Sequence, residues 1–550
     1  MEPILELQEL TAGFEQNGEW VNVLRSITFG LGENEILGIV GETGSGKSVL
    51  ARAIMGLLPG NARIRGGDIR FRGKSLVGLK PSEYRKIRGS EIGLIATNAK
   101  ALLDPVERVG NQIARVLREH RGVQWDQAKH AAIDLLAKVG IRDPAERAES
   151  YPHQLSGGMA QRVIIAMALV AQPQVLLADD ATLGLDATVQ VQVLDMMVER
   201  CRQLGLSVIL ITHDLGMVAH YCDRVAIMRD GQIVELKPVS RFLAGPESEY
   251  SRELLKSAKP NDSKADMPGF EVMSKSAPPD SILAVQQLTK IFATPILNRF
   301  VRAVDDVSFS IDRGETLALV GESGSGKTTI GQCLVRLLAP NSGKIIFDGQ
   351  NITNWTEGQF RPLRRRIQIV FQEPYLALNP RWRVFDLIAE PLRLLLYRDR
   401  KKITARVHAV LEMVKLPISL TRVFPNELTA GEQKRLGIAR ALATEPDLVI
   451  FDEPTTALDI RVRGQIIELV RELQSRTRLS ALYITHDLNS VRSLAHRVAV
   501  MNRGRIVETG PTCQVFSQPE QSYTKTLLSA ELPIERPART EIAQYEYNHE

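Results

Sequence analysis

Short apolar runs punctuate the chain, and each ends in a polar cluster. Residues 36–40 lead into GETGSGKS, residues 175–178 into Asp179 and Asp180, and residues 207–211 into Thr212 and His213. The same three arrangements return later. Residues 317–320 lead into GESGSGKT, residues 448–451 into Asp452 and Glu453, and residues 480–484 into Thr485 and His486. Apolar runs of this length without polar alternation predict strands covered on both faces. Helical patterns lie between them, so an α/β parallel sheet is expected. The polar clusters then fall at the carboxyl ends of the strands, where such sheets bind ligands.

The recurrence covers whole domains. LSGGM at Leu155 matches LTAGE at Leu428, and THDL at Thr212 returns at Thr485. The glycine-rich loops lie slightly further apart than these later motifs, so the chain reads as a tandem duplication with short indels in the first part of each copy. The ends repeat too: FLAGPESEYSRELLKSAKP from Phe242 matches FSQPEQSYTKTLLSAELP from Phe516. The expected organisation is a first domain over 1–258, a linker over 259–280 rich in Pro, Ser, Lys and Asp, and a second domain over 281–550.

Both glycine-rich loops fit the phosphate-binding pattern G-x-x-x-x-G-K-[ST]. The first is Gly41, Glu42, Thr43, Gly44, Ser45, Gly46, Lys47 and Ser48; the second is Gly321, Glu322, Ser323, Gly324, Ser325, Gly326, Lys327 and Thr328. Glycines let backbone N–H groups turn inward, and the following helix adds its positive end. Lys47 and Lys327 are expected to reach the outer phosphates, and Ser48 and Thr328 to hold Mg²⁺. Two such loops predict two nucleoside triphosphate sites, or sites descended from them.

The later motifs complete the chemistry in the second copy. Asp452 ends a buried run and is expected to hold Mg²⁺, with Asp179 its counterpart in the first copy. Glu453 is placed to polarise the attacking water as a general base. Gln372, in VFQEP, is a candidate amide for positioning water and metal, and His486 is a candidate for orienting Glu453 or stabilising the transition state.

Composition narrows the setting. The chain has 550 residues, a net charge of +5 and four scattered cysteines, with no C-x-x-C pair. Reduced, structural thiols are expected. The charge is too dilute to point to nucleic acid. The start carries acidic residues and no basic leader, and no apolar run is long enough to span a bilayer. A cytoplasmic protein is expected, and any work at a membrane would need other subunits to cross it.

Phosphate loop, Q-loop, LSGGM, ADD or FDE, then THD: in this order the motifs resemble the nucleotide-binding domains of ABC transporters, twice over nearly the whole chain. The most specific stretch is LSGGMAQRVIIAMAL, which is similar to the ABC signature. FQEPYLALNP, DEPTTALD, YPHQLSGGMAQRV and the tails resemble the importer branch for oligopeptides, dipeptides, glutathione and nickel. The resemblance implies two P-loop NTPase (RecA-like) domains, each with a helical signature subdomain and a small antiparallel β subdomain. It also implies two transmembrane permease partners, an extracytoplasmic solute-binding protein, and a peripheral place at the inner membrane. The halves would pair head to tail, each ATP lying between one phosphate loop and the other signature. Ser156, Gly157 and Gly158, or Thr429 and Gly431, would then offer donors to the γ-phosphate, and Phe14 and Phe292 would stack on adenine.

The chain departs from the family pattern in two places. The first copy has Thr97 opposite Gln372 and Asp180 opposite Glu453. The second copy has Thr429, Ala430 and Glu432 in its signature, and Ala430 adds a Cβ where backbone would approach a phosphate. Combined crosswise, every departure falls in site one, which joins Lys47, Ser48, Asp179, Asp180 and His213 to the second signature. Site two joins intact parts. A soluble tandem ATPase acting on ribosomes or nucleic acid is the alternative, but the linker is short and zinc-type cysteine clusters are absent from the sequence.

Overall fold

The computed structural model describes residues 2–258 and 281–532 and Ile534, apart from residues 17, 98, 183, 186, 295–298, 457 and 459. The linker expected over 259–280 lies outside the described residues. Among those described, one compact unit runs to residue 258 and takes in Leu532 and Ile534; the other runs from Ser281 to Glu531.

In the described part of each unit a six-stranded sheet forms the centre. In the first unit its order is Gln232–Pro238, Arg224–Arg229, Ile36–Gly41, Ser207–Thr212, Val175–Asp179 and Ile92–Ile95. All neighbours pair in parallel except Gln232–Pro238, which returns antiparallel along one edge. The second unit repeats this order with Arg505–Pro511, Arg497–Asn502, Thr316–Val320, Ser480–Thr485, Leu448–Asp452 and Ile367–Val370. Every residue of the three central strands is buried in both units. The continuous apolar runs thus form the doubly covered strands they predict.

Each unit adds a smaller antiparallel sheet and a helical subdomain. The small sheets order Glu19–Leu31, Leu5–Gln16, Ala62–Phe71 and Lys74–Ser75 in the first unit, and Arg299–Asp312, Ser281–Thr294, Ser342–Phe347 and Gln350–Asn351 in the second. The helical parts run from Val109–Arg121 to Gly157–Leu169 and from Val384–Leu395 to Ala430–Leu442. Val163, Ile165, Ala166 and Leu169 on one signature helix, and Leu436, Ile438, Ala439 and Leu442 on the other, are buried at helical spacing. These helices therefore pack along their length and leave only their first turns for a ligand.

The repeated tails are held by a repeated device. Glu235 accepts the N–H groups of Glu247 (2.8 Å) and Ser248 (3.1 Å), just before helix Glu249–Ala258. Glu508 accepts those of Glu520 (2.9 Å) and Gln521 (3.1 Å), before helix Ser522–Ser529. Burial alone would raise the Glu235 pKa. The Ser251 hydroxyl, the two N–H groups and Lys237 outweigh it and hold the carboxyl down at about 2. A depressed carboxylate stabilises the fold above its unfolded pKa and loses that contribution as pH falls through the folded value. The clamp should therefore be constant at neutral pH and fade only below about pH 4.5. Glu235→Gln should cost about 1–3 kcal/mol, because two part-buried N–H groups lose a charged acceptor. Denaturant unfolding of the full chain, with a probe in the first unit, checks this.

Candidate nucleotide sites

The two phosphate loops adopt one geometry. Each begins where a buried strand ends and closes at Gly46 or Gly326, whose φ values of 101° and 104° suit glycine and few other residues. Helices Lys47–Ile54 and Lys327–Leu334 follow. Lys47 Nζ donates to the carbonyls of Gly41 (2.7 Å) and Glu42 (2.8 Å) and lies 3.4 Å from Ser45 Oγ. Lys327 repeats this with Gly321 (2.8 Å), Glu322 (2.8 Å) and Ser325 (3.4 Å). Both ammonium groups are buried inside their own loops, as a phosphate-binding lysine must be to act at short range.

A hydroxyl meets a carboxylate beside each loop. Ser48 Oγ donates to Asp179 Oδ1 at 3.1 Å, and Thr328 Oγ1 to Asp452 Oδ1 at 3.0 Å. Burial raises the Asp452 pKa to about 6, against the Thr328 hydrogen bond and the Lys327 charge; Glu453 next to it adds to the rise. Asp179 is raised by the same principal cause, burial. Two hard oxygen donors at this separation fit Mg²⁺, which keeps most of its own waters.

The next residue is re-aimed by its backbone. Asp180 and Glu453 take φ values of 45° and 46°, in the left-handed region that non-glycine residues seldom occupy. Their N–H groups still donate to the neighbouring strand, at Ile211 and Ile484, each at 2.9 Å. The twist turns each carboxylate toward a histidine: His213 Nδ1 lies 3.2 Å from Asp180 Oδ1, and His486 Nδ1 lies 3.3 Å from Glu453 Oε1. The shorter Asp180 thus keeps its histidine contact.

The units differ in what else reaches the carboxylate. Gln372 Nε2 donates to Glu453 Oε2 at 2.8 Å, and Thr456 Oγ1 donates to the same oxygen at 2.9 Å. Burial would raise the Glu453 pKa, but the His486 and Thr456 contacts and the Lys327 charge bring it below the ordinary value. An ionised carboxylate held by three groups is suited to orient water. In the first unit Thr97 stands where Gln372 stands in the second, and among the described residues the recorded side-chain contact of Asp180 is the one with His213.

Residues 24–183 and 304–456 match the family model described as ABC transporter, so the match falls once in each unit. The chain belongs to the ABC transporter family. It is an ATP-binding cassette ATPase with two tandem cassettes. Residues 507–549 also match a model described as oligopeptide/dipeptide transporter, C-terminal region. The chain is 39% identical to the peptidoglycan transport ATP-binding protein YejF of Agrobacterium fabrum, over 99% of both chains. It is 40% identical to the glutathione import ATP-binding protein GsiA of Escherichia coli K12, over 98% of this chain and 90% of that one.

The two ABC signatures differ in their hydrogen bonds. Ser156 caps helix Gly157–Leu169 by accepting Met159 N–H at 3.2 Å. Thr429 caps Ala430–Leu442 in a closed box. Its N–H and hydroxyl both donate to Glu432 Oε2 at 2.8 Å, and it accepts Glu432 N–H at 3.3 Å. The Thr429 proton is therefore already engaged. Gly157, the counterpart of Ala430 in the first unit, has room for a methyl: a Cβ built there meets nothing nearer than Leu185 Cδ2 at 3.7 Å. Any cost of Ala430 would fall on the ligand side.

Phe14 and Phe292 lie on the first strand of each small sheet, opposite Val21 and Val301. Phe14 is half-buried, while Phe292 is exposed with Lys290 Nζ 5.3 Å from its ring centroid. Sequence reasoning missed three residues. Thr456 donates to Glu453. Tyr523, from the tail, accepts the N–H of Glu322 in the second phosphate loop at 3.2 Å. Lys434 donates to the Gln372 main-chain carbonyl. Comparing the copies position by position marks Lys434, because Gln161 stands there in the first.

Proposed function

We propose that this ABC ATPase energises a binding-protein-dependent importer of a peptide or related small solute. The observation that carries this is the tail. Its match to the oligopeptide/dipeptide transporter C-terminal region accompanies two cassettes in one chain, the arrangement also spanned by the peptidoglycan-transport and glutathione-import relatives. Two permease subunits would cross the membrane, an extracytoplasmic protein would deliver the solute, and this chain would sit peripherally on the cytoplasmic face of the inner membrane. No helix among the described residues is long and apolar enough to cross it.

The two cassettes would pair head to tail and form unlike sites. Site two would join Lys327, Thr328, Gln372, Asp452, Glu453 and His486 to Ser156, Gly157 and Gly158. There Glu453 takes a proton from the attacking water, Gln372 and His486 fix its direction, and the signature donors stabilise charge on the transferred phosphoryl group. Mg²⁺, held by Thr328 and Asp452 with Gln372 nearby, would neutralise phosphate charge. Site one would join Lys47, Ser48, Asp179, Asp180 and His213 to Thr429 and Gly431. It would bind ATP and help closure, with little hydrolysis.

Residues 97–103 and 372–378 would form the permease-docking edges. Fractionation tests the assignment. Expressed alone, the chain should stay in the supernatant; co-expressed with its permeases, it should pellet with membranes and gain solute-stimulated ATPase activity. Stable insertion of the isolated chain, or activity indifferent to permeases, would overturn it.

A further inference from the structure

Helix Ala430–Leu442 carries a charge inside the second unit. Lys434 is buried, and its ammonium donates to the main-chain carbonyl of Gln372. It lies 3.5 Å from the main-chain carbonyl of Glu453. Gln372 follows strand Ile367–Val370, whereas Glu453 follows Leu448–Asp452, so different strands support the two residues. Their side chains nevertheless meet at 2.8 Å. Lys434 is a third element bonded to the backbones behind that meeting point.

The first unit supplies the contrast. Gln161 occupies the matching position and is buried, yet its Nε2 has no hydrogen-bond partner among the described residues. The residue opposite Gln372 there is Thr97, and the carboxylate is the shorter Asp180. The lysine accompanies the Gln–Glu pair, and the neutral amide accompanies its absence. An ammonium costs several kcal/mol to bury unless strong acceptors receive it. Filling space would need only an apolar side chain.

We propose that Lys434 is a positioning residue for ATP hydrolysis: it ties the backbones of Gln372 and Glu453 together, so that amide and carboxylate share one register. The proposal rests on Glu453 being the base. Lys434 touches neither nucleotide nor water in this reading and acts through Gln372. A displacement of about 1 Å at a reacting group can cost about a hundredfold in rate.

Four variants of the full chain, assembled with its permeases, provide the test: Lys434→Met, Gln372→Ala, the double variant, and Glu453→Gln. Lys434→Met should lower kcat by about 10–100-fold while KM for ATP moves less than about threefold. In the Gln372→Ala background the same change should cost much less, because the two residues act as one unit. Unchanged kcat in Lys434→Met, or an undiminished loss in the double variant, overturns the proposal. If Lys434→Met fails to fold, Lys434→Gln takes its place, since the first unit holds glutamine at this position; full kcat there also overturns it. High turnover in Glu453→Gln would instead refute the assignment of the base, a result distinct from either.

Discussion

Glu453→Gln should remove most ATP turnover of the assembled transporter, about 10²–10⁴-fold, the range for loss of a general base. Asp180→Asn should change it far less. The two carboxylates share a backbone conformation and a histidine contact. They differ in reach and in support. Glu453 receives Gln372 and Thr456 on its second oxygen and is held ionised. Asp180 is one methylene shorter, and Thr97 stands at the position matching the amide. Glutamine preserves shape and one accepting oxygen but cannot accept the proton from water. The measurement is steady-state ATPase activity with each substitution made singly. Equal losses from the two would show that both sites hydrolyse and that the crosswise sorting of departures has no functional meaning.

Lys327→Ala should be nearly as damaging, by another route. The ammonium is the fixed positive charge of the second phosphate loop, and charged hydrogen bonds of this kind contribute about 1.5–3 kcal/mol each. Its loss should weaken ATP at that loop by about 10–100-fold and lower turnover with it. Lys47→Ala should weaken nucleotide at the first loop by a similar factor. Its effect on transport would come through closure, with the hydrolysis step of the closed state intact. Nucleotide binding to the purified chain and single-turnover hydrolysis by the full assembly separate the two. A single-turnover rate lowered equally by both variants would contradict the unequal assignment. Each lysine also satisfies carbonyls of its own loop, at Gly41 and Gly321, so unfolding midpoints should accompany the binding data.

Strand, loop and motif positions were legible because each rests on a short local pattern. The run before Gly41, the carboxylates after residues 178 and 451, and the histidines at 213 and 486 all stand at strand ends, as expected. The hydroxyl–carboxylate pairs, Ser48 with Asp179 and Thr328 with Asp452, were legible from chemistry alone. The left-handed turn at Asp180 and Glu453 was not, because neither residue type demands it. Lys434 and Tyr523 were hidden for a related reason. Their partners are main-chain atoms distant in sequence, at Gln372, Glu453 and Glu322, and a main-chain atom has no residue type to read. Ala430 bears on the ligand alone: a Cβ built on its counterpart Gly157 meets nothing nearer than 3.7 Å.

The left-handed backbone at Glu453 has a practical consequence. An ordinary side chain held there costs about 1–3 kcal/mol, and glycine would relieve it. Glycine would also delete the carboxylate that His486, Gln372 and Thr456 converge upon. Relief of the backbone and loss of those three contacts pull stability in opposite directions. A stabilisation campaign should therefore leave residue 453 fixed and look for its gains elsewhere.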